Sequence, residues 1–154
     1  DVIELDGAPV SSSRIRTCIE QGDIPEAERL LGRPLIYSLR VENGDHRGRT
    51  IGFPTINQLL PPELARPRFG VYVSEVLLEG KWYRAVTNIG IRPTYQIAHP
   101  QFETFIVGFQ GDLYGEEISL RLRQFTRPET RFSSLEALKT AIESDLAAAL
   151  AFEE

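Results

Sequence analysis

Methionine is absent from the 154 residues, and cysteine, tryptophan and histidine are scarce, at one, one and two copies. A single thiol, Cys18, cannot form an internal disulfide and has no companions for a zinc knuckle; it reads as a buried or half-buried side chain. His46 and His99 lie far apart, so a histidine-based metal site has little support. No apolar run approaches the length of a membrane-spanning helix and no signal-peptide pattern is present. No membrane role is expected, and a cytoplasmic location follows as the default. Positive charge is in deficit, with 17 Lys and Arg against 22 Asp and Glu and a net charge of −5. A general nucleic-acid binder is usually basic overall, so nucleic acid is not an expected partner. The lack of methionine, with Asp1 in first place, makes the chain read as a fragment or a processed piece.

What is present is the composition of a soluble globular protein with one core of ordinary size: 42% hydrophobic and 25% charged residues. Val2, Ile3 and Leu5 alternate until Gly7-Ala8-Pro9 breaks the pattern. Ser11 to Ser13 offer an N-cap for a helix running through Glu20, which Gly22 stops. Asp23 caps a second helix with apolar Ile24, Ala27, Leu30 and Leu31, ended by Gly32. From Leu35 the period falls from near 3.6 to two, and β-branched and aromatic residues increase. Strands are expected at 35–43, 49–52, 56–60, 70–79, 81–90, 102–109 and 117–126, with a tight turn at Glu79-Gly80-Lys81. Short strands with turns and no helices between them imply an antiparallel barrel or sandwich, and a barrel removes exposed edges. A closing helix has Ser133 and Glu136 as a capping box, with Leu135, Leu138, Ile142, Leu146 and Ala149 on one face to dock it.

The chemistry concentrates in residues 44–57. Gly44, Gly48 and Gly52 permit positive φ and close backbone approach, which suits wrapping an anion, and Arg47 and Arg49 supply countercharge. Thr55 and Asn57, two residues apart beyond Pro54, point to one side of an extended backbone. Their neutral oxygens suit Mg²⁺ that arrives on nucleotide phosphates rather than a free cation. An ordinary surface hairpin explains the same spacing. Glu103 lies in an apolar, aromatic strand and is either a solvent-facing carboxylate or a general base near a phosphate site. Asn88-Ile89-Gly90-Ile91-Arg92-Pro93-Thr94 is a loop after a strand. In Gly111-Asp112-Leu113-Tyr114-Gly115, Tyr114 places an aromatic ring where a ring system can stack. Arg127-Pro128-Glu129-Thr130-Arg131-Phe132 brings arginines that either meet phosphate or solvate a loop. Ser11-Ser12-Ser13-Arg14-Ile15-Arg16 is either a phosphate-binding helix start or an over-supplied N-cap.

Taken in order, these stretches resemble the riboflavin kinases. Gly48-Arg49-Thr50-Ile51-Gly52-Phe53-Pro54-Thr55-Ile56-Asn57 is similar to the GRTLGFPTAN signature, with Ile56 in place of alanine. Asn88-Ile89-Gly90-x-Arg92-Pro93-Thr94, Glu103-Thr104-Phe105, Asp112-Leu113-Tyr114-Gly115 and Arg127-Pro128-Glu129-x-x-Phe132 follow in the family's order. Any one of these motifs is weak; together, from about Leu31 to Leu150, they are specific. Val10 to Arg16 resembles the closing ISSTRIR motif of the FMN adenylyltransferase module that precedes the kinase in bacterial bifunctional FAD synthetases, and the HxGH motif of that module is missing.

The resemblance implies a mainly β fold: a six-stranded antiparallel Greek-key barrel with a C-terminal helix and a short helical N-terminal preface. Residues 1–32 would be the tail of the adenylyltransferase module, a partner otherwise missing, and 33–154 the kinase. The implied reaction converts riboflavin and ATP into FMN and ADP, with no FAD expected. Carried over by position, Thr55 and Asn57 hold the Mg²⁺ of ATP. Gly44, Arg47, Gly48, Arg49, Gly52 and Pro54 belong to the nucleotide loop, with Tyr114 as an adenine contact. Glu103 takes the proton from the ribityl 5′-hydroxyl. Asn88, Glu103, Arg127, Glu129 and Phe132 face the flavin. Phe105 departs from the family's frequent histidine and bears on flavin packing. The alternative is a non-catalytic flavin- or nucleotide-binding barrel with a regulatory or assembly role.

Overall fold

The computed structural model describes residues 3–5, 8–10, 12–42, 54–91 and 100–153. Ala8 and Pro9, where the alternation was expected to break, belong to β2 (Ala8–Val10), which pairs antiparallel with β1 (Ile3–Leu5). Two helices follow, α1 (Ser12–Gln21) and α2 (Ile24–Leu31). Asp23 caps α2 by accepting from the Glu26 N–H, and Gly32 closes it through its own N–H to the Glu28 carbonyl. Amphipathic spacing turns Ile24, Ala27 and Leu30 inward, and Ile24 shares one apolar cluster with the barrel. The Glu28 carboxylate fastens α2 further, accepting from the Leu35 N–H at 2.7 Å and from Arg121 at 3.0 and 3.1 Å. The helical preface is therefore packed on the barrel.

Six strands close into that barrel: β3 (Ile36–Glu42), β4 (Ile56–Leu59), β5 (Gly70–Leu78), β6 (Lys81–Ile91), β7 (Pro100–Ile106) and β8 (Glu117–Arg127). Their spatial order is β3-β4-β7-β6-β5-β8, all antiparallel, with β8 pairing back to β3. The meander β5-β6-β7 with β8 returning beside β5 is a Greek key. Outside β7, strand boundaries move by at most one residue from the sequence reading. The largest move is in β7, which starts at Pro100 and ends at Ile106, because residues 107–108 form a turn. The strand expected at 49–52 falls outside the described residues. Glu79 and Gly80, at φ 51° and 79°, make the two-residue β5–β6 turn expected of a twisted hairpin.

Period-two alternation fills the barrel. Tyr37, Leu39 and Val41 point inward against Ile118, Leu120 and Leu122, and Tyr37 meets Phe102 edge-on at 5.1 Å. Polar residues inside find partners in the barrel wall. Gln58, fully buried, donates to the Leu39 and Ile118 carbonyls, and Ser74, Thr87 and Thr104 form a hydroxyl chain with links of 2.8 Å.

The last helix, α3 (Leu135–Ala151), is capped by Ser134, which accepts from the Ala137 N–H, and not by the expected Ser133–Glu136 box. Its inward face is the expected one at Leu138, Ile142, Leu146 and Ala149, with Leu135 outside it and Asp145 added. Leu135 is 58% exposed, Asp145 and Ala149 are buried, and Phe152 beyond the helix lies between the guanidinium groups of Arg84 and Arg123. Among the described residues no helix is long and apolar enough to cross a membrane.

Two consequences for stability are measurable. Gly70 sits at φ 149°, and a Cβ there would lie 2.5 Å from the Arg127 carbonyl oxygen and from the Phe125 ring. Gly70→Ala is expected to cost about 2 kcal/mol or more in denaturant unfolding; a loss below about 0.5 kcal/mol would contradict the strained geometry. Tyr37 and Tyr72 donate to the Ala65 and Arg68 carbonyls, and burial pushes both phenols well above their ordinary pKa of 10.0. The fold thus favours the neutral phenols. Their contribution is complete below pH ~10 and is lost above it, as the unfolded chain ionises first, by roughly 1 kcal/mol per pH unit for each tyrosine. Tyr72→Phe should flatten that alkaline loss, and an unchanged slope would remove Tyr72 from it.

Candidate active site

β3 ends, β4 begins and β7 gives way to the 107–116 connection at one rim of the barrel, where a cavity of about 480 Å³ opens. Pro54, Thr55 and Asn57 line it on one side, Thr104 and Ile106 on another, and the loop from Phe109 to Tyr114 on a third. That loop is held by buried Leu113 and by the Gly115 N–H on the Val41 carbonyl, and Asp112 turns it by accepting from the Tyr114 N–H. Tyr114 is left 52% exposed at the cavity wall.

β7 lies between β4 and β6, and its register places Asn57, Glu103 and Asn88 directly opposite one another across the three strands. Opposed residues share a face with Cβ atoms about 5 Å apart. Because Gln58 and Phe102 point inward, this polar row is on the outer face. Asn57 is only 4% exposed and its Oδ1 accepts from the Gln101 side chain, which fixes the amide's orientation. The Asn88 Oδ1 is buried without a partner among the described residues, and Glu103 is half-buried between the two amides.

The segment after β8 closes on the same face. Gly90, two residues beyond Asn88, lacks the Cβ whose space the Glu129 carboxylate takes. Arg127 is tied to Asp145 of α3 by Nε–Oδ1 and Nη2–Oδ2 hydrogen bonds of 2.9 and 2.7 Å. Its guanidinium carbon stands 5.7 Å from the centre of the Phe132 ring.

The structure therefore groups Pro54, Thr55, Asn57 and Tyr114 around one cavity, with Glu103 and Asn88 in a row running from Asn57. Glu129 lies on the same strand face, and the Arg127 guanidinium is committed to Asp145. Gly44, Arg47, Gly48, Arg49 and Gly52 lie outside the described residues. Among the described residues no cluster of three His, Cys, Asp or Glu is placed to hold a metal ion. Cys18, half-buried, has its thiol pushed up by burial and by Asp23 and Glu26, and it is remote in sequence from every residue of this site. Two residues escaped the sequence reading. Gln101 shares the outward parity of Glu103, but the strand was expected to begin one residue later. Asp145 is an acid inside the apolar spacing of Ile142, Leu146 and Ala149, a signal that was present and unused.

The fold and site define a class, a closed Greek-key barrel domain with a ligand cavity at its rim and a carboxylate in a row of amides beside it. A family profile described as riboflavin kinase matches residues 31–152, most of the chain. A bifunctional riboflavin kinase/FMN adenylyltransferase from Pseudomonas fluorescens is 43% identical over 150 residues, covering 97% of this chain and 48% of the relative. One of the same name from Escherichia coli K12 is 43% identical over 140 residues, covering 90% and 44%. A crystal structure from Streptococcus pneumoniae, described as a macrolide-efflux protein, superimposes with a TM-score of 0.89 at 34% identity, over 99% of this chain and 50% of that one. Riboflavin kinase from Trypanosoma brucei shares the fold, with a TM-score of 0.53 at 22% identity over 76% and 78% of the two chains. The chain belongs to the riboflavin kinase family. It spans about half the length of the curated relatives it matches.

Proposed function

We propose that this chain transfers the γ-phosphoryl group of ATP to the 5′-hydroxyl of riboflavin, giving FMN and ADP. The observation that carries the reading is the register of Asn57, Glu103 and Asn88, with a carboxylate between an amide on the cavity wall and an amide whose buried oxygen meets no donor among the described residues. The nucleotide occupies the rim cavity, its ring system against Tyr114 and its phosphates toward Thr55 and Asn57. The loop bearing Gly44, Arg47, Gly48, Arg49 and Gly52 supplies backbone amides and positive charge. Flavin lies on the Asn88 side, bounded by Glu129 and Phe132.

The donor set fits nucleotide-borne Mg²⁺. Thr55 and Asn57 offer two neutral oxygens on one wall, and an ion that keeps phosphate and water ligands needs little more from a protein. Gln101 engages one lone pair of the Asn57 oxygen and leaves the other. When bound, the ion neutralises phosphate charge.

In the chemical step the riboflavin 5′-oxygen forms a bond to the γ-phosphorus as the bond from that phosphorus to the β–γ bridging oxygen breaks. ADP leaves with the electron pair, and the hydroxyl proton passes to Glu103. Positioning and charge neutralisation supply most of the catalysis, with the base adding its share. The FMN adenylyltransferase module named in the bacterial relatives is the proposed partner in the parent chain. A binding barrel with no activity would have no use for a carboxylate in this row.

The first experiment mixes the chain with riboflavin, ATP and Mg²⁺ and separates the flavins by chromatography. FMN that requires both ATP and Mg²⁺, with no FAD, is expected. Riboflavin bound but not converted would favour the binding barrel. Glu103→Gln should lower kcat by about 10²–10⁴-fold with flavin affinity nearly unchanged, and equal losses in both would remove Glu103 as the base. Thr55→Val should weaken Mg·ATP binding roughly tenfold, and an unchanged affinity would remove Thr55 from the metal site.

A further inference from the structure

We propose that Asp145 is a positioning residue for the flavin side of the site, acting through Arg127 on residues 128–132; the proposal rests on the kinase reading above. Asp145 is only 8% exposed, the one buried charge on α3. An acid on the docking face of a helix is costly unless it is paired. Here it meets the Nε and Nη2 of Arg127 at 2.9 and 2.7 Å, a two-bond fork that sets the plane of the guanidinium as well as its place.

With that edge of the guanidinium taken, the rest faces the segment after β8. Nη1 lies 3.4 Å from the Pro128 carbonyl and 3.5 Å from the Thr130 hydroxyl, and the Phe132 ring stands beside the cation at 5.7 Å. One side chain thus gathers three points of a five-residue segment, and Asp145 holds that side chain. The same segment lays the Glu129 carboxylate on Gly90, two residues from Asn88. A slack Arg127 would loosen Glu129 and Phe132 together and leave the nucleotide cavity, whose lining includes neither, as it is. α3 has other anchors, notably buried Ala149 and Phe152 between Arg84 and Arg123, so the pair is not needed merely to dock the helix.

The test compares Asp145→Asn, Asp145→Glu and Arg127→Lys in this chain, reading riboflavin Kd by flavin fluorescence, both KM values, kcat and Tm. Asp145→Asn should raise riboflavin Kd and KM roughly tenfold, with KM for Mg·ATP within about twofold of wild type. Arg127→Lys, which keeps the charge but loses the planar fork, should do the same, and it decides the question should Asp145→Asn fail to fold. Asp145→Glu should recover most of the affinity. Riboflavin Kd within twofold of wild type in Asp145→Asn would overturn the proposal, as would parallel losses for both substrates that track a fall in Tm. A wild-type chain that binds riboflavin without phosphorylating it would sink the kinase reading and leave this test standing on the Kd. Wild-type binding by the variants would sink the positioning role and leave FMN formation untouched. A wild-type chain that binds no riboflavin overturns both.

Discussion

β7 is hydrogen-bonded on both sides, to β4 and to β6, and its register against those two neighbours sets which side chains stand together in the candidate site. Side chains alternate across a strand, so a slip of one residue would send Glu103 into the barrel and bring Phe102 and Thr104 out. Both of those residues resist the slip. Phe102 is fully buried with its ring against Tyr37, and the buried Thr104 hydroxyl ends the chain running through Thr87 to Ser74. The packing of the core and the alignment of the site therefore select the same pairing. Core burial, which is large and insensitive to ligand, maintains a polar row that burial alone would not favour.

The interior tolerates polar atoms to differing degrees. The hydroxyl chain gives each of its members a partner, and the Gln58 amide nitrogen meets two carbonyls. The Gln58 Oε1 has no partner among the described residues, a burden of about 1–3 kcal/mol that nothing in them explains. The Asn88 Oδ1 is equally bare among the described residues but stands in the row with Glu103, where on the proposed reading an unmet acceptor is kept for the ligand. The two orphans differ in location rather than in chemistry, and location is what separates a cost of folding from a readiness to bind.

The barrel was legible in the sequence because alternation is a local signal: Tyr37, Leu39 and Val41 in β3, and Ile118, Leu120 and Leu122 in β8, announce their faces within a few residues. The order β3-β4-β7-β6-β5-β8 was not legible from spacing, since barrel and sandwich share the same alternation; only resemblance pointed to the Greek key. Thr55, Asn57 and Glu103 could be singled out by chemistry, yet their adjacency depends on strands 46 positions apart in the chain pairing in one register. Asp145 was lost because the helix was read as an apolar face. An acid breaking an apolar stripe could as well have marked the stripe's edge, and the fork to Arg127 is a contact across elements. Ser134 replaced Ser133 as the cap because adjacent serines leave the first helical residue ambiguous by one.

Charge provides the remaining step. The described lining of the rim cavity contains no lysine or arginine and does contain Glu42 and Asp112, with Glu103 close behind in the polar row. Triphosphate placed there without countercharge would face carboxylates at short range. On the proposed reading, three neutral features of the sequence are thus connected. Thr55 and Asn57 are uncharged because the cation comes with the nucleotide. Arg47 and Arg49 sit in a glycine-spaced loop that can approach the phosphates. Three arginines of the barrel's last strand are engaged elsewhere: Arg121 with Glu28, Arg123 with Glu75 and Arg127 with Asp145. On that reading ion pairs hold the scaffold, and the positive charge the substrates need comes with the nucleotide and from Arg47 and Arg49.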